Sequence, residues 1–237
     1  MNNHPRPKFT WIGHATVRCD LPGGEVVLID PWLQGNPSCP KGYEFDRLDA
    51  ILITHAHFDH MADAVDLAKK HKPKIVVASF EICQWLGGKG VENCSGMNLG
   101  GSQDVLGLHV TMVRADHSSG LSDGDDILYG GLASGYIVKL PGGYTFYHAG
   151  DTALFSDMQL LCDIYRPELA FLPIGDLFTM DPEQAARACR YLGVRQVIPI
   201  HWGTFPALTG TPQALEKELA KLGVTCELIT LKPGGSY

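Results

Sequence analysis

Four side chains that can bind a metal ion lie within six residues of this sequence: His55, His57, Asp59 and His60. His55 and His57 alternate by two, so both can point to one side of an extended segment, and Asp59 and His60 follow one turn later. Imidazole and carboxylate groups are common ligands of zinc. A polar loop that happens to be rich in histidine explains this density of ligands less well. The run therefore indicates a metal site, and Asp59 and His60 can face a second ion.

Short apolar runs bounded by turn residues predict the strands that position this site. Ile51–Ile53 directly precedes the histidine run, and a helical pattern follows it from Met61 to about Lys70, which places the run on a strand-to-helix loop at a sheet edge. Pro141-Gly142-Gly143 predicts a hairpin. The other predicted strands are Val26–Ile29, Ile75–Ala78, Leu108–Val113, Tyr136–Leu140, Thr145–Tyr147, Leu169–Leu172, Val197–Ile200 and Glu227–Leu231.

Two later helices carry clear start and stop signals. Asp181-Pro182 opens one helix that ends at Gly193, and Thr211-Pro212 opens another that ends at Gly223. Strands with interspersed helices favour an α/β (α+β) fold, in which two sheets pack face to face with helices outside. We expect a first half that closes near residue 124 and a second half that opens near residue 129.

Composition limits the classes of protein that fit. With 237 residues and 45% hydrophobic residues, the chain matches one domain over residues 1–237. A net charge of −7 disfavours nucleic acid as a partner and leaves a small-molecule substrate. The N-terminal residues 1–8 are polar, unlike a signal peptide. No apolar stretch is long enough to span a membrane. The seven cysteines are odd in number and scattered, unlike a disulfide framework. These observations predict a cytoplasmic protein.

The run His55-Ala56-His57-Phe58-Asp59-His60 resembles the signature of the metallo-β-lactamase superfamily. The resemblance implies a four-layered αβ/βα sandwich with metals at one sheet edge, and it implies that a lone histidine, a bridging aspartate and a final histidine follow the signature. His117, Asp151 and His201 stand in that order, each after an apolar run. The implied first ion is bound by His55, His57 and His117, the second by Asp59, His60 and His201, and Asp151 bridges both.

Further motifs over nearly the whole chain are similar to a bacterial and archaeal branch of metal-dependent hydrolases, related to ascorbate-6-phosphate lactonases and the N-acyl-phosphatidylethanolamine-hydrolysing phospholipase D. The branch suggests a homo-oligomer. The sequence departs from it at Ala56-His57-Phe58, where glycines are usual, and at Trp202-Gly203, where Tyr-Asn is usual; neither change removes a ligand. The motifs are Trp11–Thr16, Ile29–Pro31, Gly96–Gly101, His117–Ser119, Ala149–Phe155, Pro173–Met180 and His201–Pro206.

Five residues are candidates for supporting or substrate-contacting roles. His14 resembles a histidine that faces the pocket in this branch and, with Asp59, is a candidate catalytic residue; a purely structural role is the alternative. Asp30 is a candidate acceptor for a ligand imidazole N–H, or simply a turn aspartate. His148 is expected behind the ligands. Asp176 and Thr179, between a strand and a capped helix, either face the cleft or belong to a packed connection.

The implied cofactors are two divalent ions, with zinc the first candidate and manganese, iron or nickel the others. Such ions lower the pKa of a shared water toward 7, and Asp59 can orient that water or pass its proton on. We therefore expect hydrolysis of a small ester, lactone or phosphodiester. The alternatives are a nuclease or RNA-processing phosphodiesterase, which the acidic charge disfavours, and a non-catalytic metal-binding scaffold, which would not require an intact ligand set.

Overall fold

The computed structural model describes residues 6–237; residues 1–5 of the polar N-terminal segment lie outside the described residues. Within residues 6–237 no helix is long and apolar enough to cross a membrane. The strands are β1 (Lys8–Gly13), β2 (Thr16–Asp20), β3 (Val26–Ile29), β4 (Ala50–Leu52), β5 (Ile75–Ser79), β6 (Cys94–Met97), β7 (Ser102–Val105), β8 (Leu108–Arg114), β9 (Gly120–Asp123), β10 (Asp126–Tyr129), β11 (Ser134–Lys139), β12 (Thr145–His148), β13 (Leu169–Pro173), β14 (Gln196–Ile200), β15 (Glu227–Leu228) and β16 (Gly235–Ser236). The helices are α1 (Phe58–Met61), α2 (Ala64–His71), α3 (Phe80–Gly88), α4 (Met158–Tyr165), α5 (Pro182–Leu192) and α6 (Pro212–Leu222).

Two seven-stranded sheets are built in the same way. The first has the order β16-β1-β2-β3-β4-β5-β6 and the second β15-β14-β13-β12-β11-β8-β7. The first is antiparallel from β1 to β3 and parallel from β3 to β6. The second is antiparallel from β8 through β11 to β12 and parallel from β12 to β15. Because parallel strands end at the same edge of a sheet, the loops that follow them gather side chains there.

The two sheets pack face to face, and helices cover their outer faces. Edge-to-face contacts of Phe9 on β1 with Phe146 on β12 and Phe171 on β13 join the sheets, at ring-centroid distances of 4.9 and 5.2 Å. A second core cluster lies between the second sheet and α4 to α6, and a third lies between the first sheet and α1 to α3. The predicted four-layered sandwich is therefore confirmed.

Several local predictions are also confirmed. The hairpin joins β11 to β12, with Lys139 paired to Thr145. Helix α5 begins after Asp181, whose carboxylate accepts a hydrogen bond from the Gln184 amide at 2.7 Å. Helix α6 begins after Thr211, whose hydroxyl accepts from the backbone N–H three residues later. Such caps satisfy amide groups that have no partner within the helix, which is why the sequence signals them so clearly.

Three expectations were wrong. The helix expected from Met61 to Lys70 is two helices, α1 and α2, which are separated at Ala62 and Asp63. Helices α3 and α4 were not predicted. For α3, the pair Gly87-Gly88 at its end resembles a turn. The chain crosses between the sheets before β7, because β7 and β8 already pair within the second sheet; residues 120–129 instead form the separate hairpin of β9 and β10.

Phe171 provides a test of the packing between the sheets. Its ring is fully buried, so Phe171→Ala should leave a cavity and lower the free energy of unfolding in urea by about 3 to 5 kcal/mol. Phe80→Ala is the matched control, because Phe80 is 53% exposed and its truncation should change stability by less than about 0.5 kcal/mol. Equal unfolding midpoints for the two variants would contradict this account of the core.

Candidate metal centre

The candidate ligands lie on loops that leave the ends of strands in both sheets. Three residues at these strand ends, the candidate ligand His201 and its neighbours His14 and Asp30, have left-handed backbone conformations with φ values of 54°, 54° and 51°. Histidine and aspartate tolerate this region better than most residues, and such strain concentrates at functional sites. In addition, the His201 amide donates to the His14 carbonyl at 2.8 Å, which joins the two sheets beside the site. His14 follows β1, Asp30 β3, His55 β4, His117 β8, Asp151 β12 and His201 β14.

One group of potential ligands consists of His55, His57 and His117, whose ligand atoms lie within 4.8 Å of one another. Nδ1 of His57 is 3.0 Å from Nε2 of His55 and 3.2 Å from Nε2 of His117. Ser118 adds a hydroxyl 3.2 Å from Nε2 of His57, which holds the other side of that ring. The three nitrogens that face one another can hold one ion.

A second group consists of Asp59, His60, His201 and His14, again within 4.8 Å. Oδ2 of Asp59 lies 2.9 Å from Nε2 of His14 and 3.7 Å from Nε2 of His201. The Asp59 side chain is 15% exposed, so it reaches the opening of the site, whereas His14, His60 and His201 are buried.

Asp151 lies between the two groups. Its Oδ2 is 3.0 Å from Nε2 of His201 and 3.3 Å from Nε2 of His60, both in the second group, and 3.7 Å from Nε2 of His117 in the first. Gly150 precedes it with φ of 61°, and a Cβ at this position would collide with the Ser134 carbonyl at 2.6 Å. A glycine is therefore needed for the backbone turn that directs this carboxylate to the centre.

Asp30 sets the tautomers of two histidines. Its buried carboxylate accepts from the Thr54 amide and the Thr54 hydroxyl, each at 2.8 Å, and from Nδ1–H of His60, also at 2.8 Å. The Thr54 hydroxyl has only one proton, so it accepts from Nδ1–H of His55 at 3.0 Å. When neutral, both imidazoles therefore carry their proton on Nδ1 and leave Nε2 free and directed at the centre, as metal ligands require.

His14 is held on both sides of its ring. Burial and the neighbouring His201 lower the pKa of His14 to about 4, so the ring is neutral; Nε2–H donates to Asp59 and Nδ1 accepts from the Thr204 hydroxyl at 2.9 Å. The Ser38 hydroxyl in turn donates to Thr204 at 3.3 Å. With both nitrogens engaged, the arrangement favours a role in positioning Asp59 over the direct substrate contact expected from the sequence.

The remaining three candidates lie around the centre. His148 is buried behind it, where Nε2–H donates to the Ala15 carbonyl and Nδ1 accepts from the Gly150 amide, both at 3.2 Å. Asp176 and Thr179 are on the loop after β13, outside the ligand groups, and their side chains bond to Thr209, to the Leu177 amide and to the Met180 carbonyl. That loop borders the site because a Cβ on Gly175 would overlap the His201 carbonyl.

The buried charges perturb one another strongly. Burial opposes the charged form of Asp151, yet His201 and His60 hold its pKa well below the usual range. Burial likewise opposes the charged forms of His60 and His201, but nearby carboxylates raise the pKa of His60 well above its usual value and that of His201 to about 9. The centre thus concentrates ionisable groups in a region of low dielectric, as functional sites do.

The polar atoms at the centre fit a bound cation. Among residues 6–237, Nε2 of His60, Nε2 of His201 and Oδ1 of Asp151 are buried without a hydrogen-bond partner. Leaving such atoms unpaired costs stability unless an ion satisfies them. The donor set of imidazole nitrogens and carboxylate oxygens suits zinc, manganese, iron or nickel.

Sequence reasoning missed the hydroxyl residues that hold the ligands, Thr54, Thr204 and Ser118. Each lies within three positions of a candidate ligand in the sequence, which is the one signal that could have suggested them. It also missed Trp32 and Phe205, whose rings lie 5.1 and 5.7 Å from the ring of His14.

The fold and the His/Asp groups define a metallo hydrolase class, and solved structures share it. Igni18, a metallo hydrolase from the archaeon Ignicoccus hospitalis, superposes with a TM-score of 0.85 at 32% identity, covering 98% of this chain and 97% of its own. The profile of the beta-lactamase superfamily domain matches residues 25–202, and the chain belongs to this superfamily.

Curated relatives agree with this assignment. A UPF0173 metal-dependent hydrolase of Koribacter versatilis is 50% identical over 97% of both chains. Another from Solibacter usitatus is 52% identical over 96% of this chain and 97% of its own. The prediction of a metal-dependent hydrolase is confirmed at the level of this class.

Replacement of Asp30 tests its control over the histidine tautomers. Asn tolerates the left-handed backbone but loses one acceptor oxygen, so Asp30→Asn should weaken zinc binding about 10- to 100-fold, measured by competition with a chromogenic chelator. Asp163→Asn on the exposed face of α4 is the control and should bind zinc as the wild type does. Unchanged affinity in Asp30→Asn would show that the ligands need no such support.

Proposed function

We propose that the chain is a dinuclear metal-dependent hydrolase that acts on a small ester, lactone or phosphodiester. His55, His57 and His117 would bind one ion, Asp59, His60 and His201 the other, and Asp151 would bridge them. The observation that carries the proposal is the position of Asp151 Oδ2, within 3.7 Å of ligand nitrogens from both groups. A carboxylate in this position can serve two cations at once.

Bound divalent ions would supply an acidified water and would polarise the carbonyl or phosphoryl oxygen of the substrate. The water oxygen forms the new bond to the carbonyl carbon or phosphorus, the bond to the leaving oxygen breaks, and a water proton ends on that oxygen. Asp59 would move this proton, because its carboxylate is partly exposed and His14 fixes its orientation. His14, itself held by Thr204, keeps Oδ2 of Asp59 engaged.

The charge of the chain supports a small substrate over a polynucleotide. At a net charge of −7, binding to a phosphate backbone would lack the broad positive surface that usually supplies its affinity. Two bound divalent ions would themselves supply positive charge at the centre. We therefore infer that recognition occurs close to the ions.

Metal analysis and a substrate panel test the proposal together. We expect two equivalents of zinc per chain by elemental analysis, and turnover of at least one member of a panel of phosphodiesters, lactones and esters. Asp59→Asn should lower kcat about 10²- to 10⁴-fold, because proton transfer is lost, and should weaken the second ion. Two bound ions with full turnover in Asp59→Asn would contradict its role.

Asp163→Asn serves as the control for this experiment too, since Asp163 is exposed on α4 and belongs to neither ligand group. It should retain both ions and full activity. One equivalent of metal in the wild type, or a fully loaded protein that hydrolyses no member of the panel, would count against the dinuclear hydrolase.

Metal binding should release protons at neutral pH. Burial alone would lower the pKa of His201, but Asp151 and Asp59 raise it to about 9, so below that pH the metal-free ring is protonated. A ligand imidazole must be neutral, so zinc has to displace this proton, and its affinity should fall as the pH drops. Calorimetry in two buffers with different ionisation enthalpies at pH 7 measures the release; no difference between the buffers would show that His201 is already neutral.

A further inference from the structure

Three aromatic side chains form a continuous wall beside the candidate metal centre. Trp32 comes from the loop after β3, Phe58 begins α1, and Phe205 comes from the loop after β14. The Trp32 ring lies 5.6 Å from Phe58 and 5.9 Å from Phe205, between ring centroids. We call these three residues the aromatic wall. It combines loops of both sheets, as the candidate ligands do.

The aromatic wall extends from the ring of His14, beside the candidate ligand Asp59, to the solvent. Trp32 and Phe205 both contact the ring of His14, which bonds to Asp59. Trp32 is 4% exposed, Phe205 is half-buried, and Phe58, directly before Asp59 in the chain, is 56% exposed. Phe58 and Phe205 are therefore the accessible parts of the wall, and the buried ring of Trp32 connects them.

Protein packing does not account for the outer part of the wall. The exposed ring of Phe58 keeps more than half of its surface in water, which is unfavourable for an apolar group unless something covers it. Phe58 stands between two candidate ligands in the sequence, so its exposed ring lies next to the candidate centre.

The loop after β13 carries two further exposed apolar side chains. Leu177 and Phe178 are 66% and 56% exposed on the loop after β13. That loop is tied to the one carrying Phe205, since Gly210 N–H donates to the Gly175 carbonyl at 3.3 Å. Leu177 also has a left-handed backbone with φ of 53°, a conformation that costs free energy and is retained mainly where function needs it.

We propose that the aromatic wall binds an apolar acyl or aryl group of the substrate, next to the bond that is hydrolysed. This inference rests on the proposed function, because it takes the metal centre as the reacting site. It makes Phe58 and Phe205 specificity-determining residues: they would favour substrates with a hydrophobic substituent over short, polar ones. Burial of each additional methylene group favours binding by about fourfold at most.

The test uses alkyl hydroxamates, which bind metal ions and carry a tail of chosen length, and it needs no knowledge of the hydrolysed bond. Calorimetry of the zinc-loaded protein with acetohydroxamate, butyrohydroxamate and hexanohydroxamate gives Kd against tail length. In the wild type we expect Kd to tighten on the order of tenfold or more from the shortest to the longest tail. Phe58→Ala should reduce this tightening about three- to tenfold, and Phe58→Ala with Phe205→Ala should abolish it.

Phe80→Ala is the matched control, since Phe80 is similarly exposed, at 53%, and its ring lies over Gly96 of β6. It should leave the dependence on tail length unchanged. Acetohydroxamate should bind all four proteins alike, because its methyl group is too short to reach Phe58; this shows that the metal centre is intact in each variant.

The two proposals fail in different ways. If Kd does not depend on tail length, or if the variants keep the wild-type dependence, the aromatic wall does not bind the substituent, whatever the substrate panel shows. If Kd depends on tail length as expected but no substrate of the panel is hydrolysed, the binding role of the aromatic wall is supported and the proposed hydrolase function is contradicted. If Phe58→Ala instead changes the molecular mass in solution and leaves the dependence intact, a second copy of the chain covers this surface and the inference is wrong.

Discussion

The buried carboxylate of Asp30 is the group on which the geometry of the site depends. A carboxylate removed from water must be fully hydrogen-bonded, and Asp30 achieves this with the amide and hydroxyl of Thr54 and with His60. The same bonds tie the end of β3 to the end of β4 and fix two imidazole tautomers, that of His55 through Thr54. This buried carboxylate thus links the backbone of the first sheet to the orientation of the His55 and His60 imidazoles.

On the second sheet the carboxylate of Asp151 has a comparable position, but its partners differ. Its neighbours at 3.0 to 3.7 Å are histidine nitrogens from both ligand groups, so its negative charge is balanced at the centre itself. Asp30 orients ligands from behind, while Asp151 faces them. The two buried aspartates thus have different positions: Asp30 supports candidate ligand histidines from behind, and Asp151 lies among them.

Much of this could be read from the sequence because the signals are local. The spacing of His55, His57, Asp59 and His60 and the caps of α5 and α6 are all decided within a few residues. The hydrogen bond between Thr204 and His14 was not predictable, since the two residues are 190 positions apart and a hydroxyl group can bond to many different partners. The position of β7 depends on pairing with β8 rather than on its own residues, so the crossing between the sheets was misplaced.

The division of the candidate ligands between the sheets also affects the order in which the chain folds and binds metal. Four of them, His55, His57, Asp59 and His60, leave the first sheet, and the other three leave strands β8, β12 and β14 of the second. Under the proposed assignment, neither half alone supplies all the ligands of either ion. Metal binding would then be a late step of maturation that follows docking of the two halves. The bound ions would connect the two sheets at one end of the sandwich.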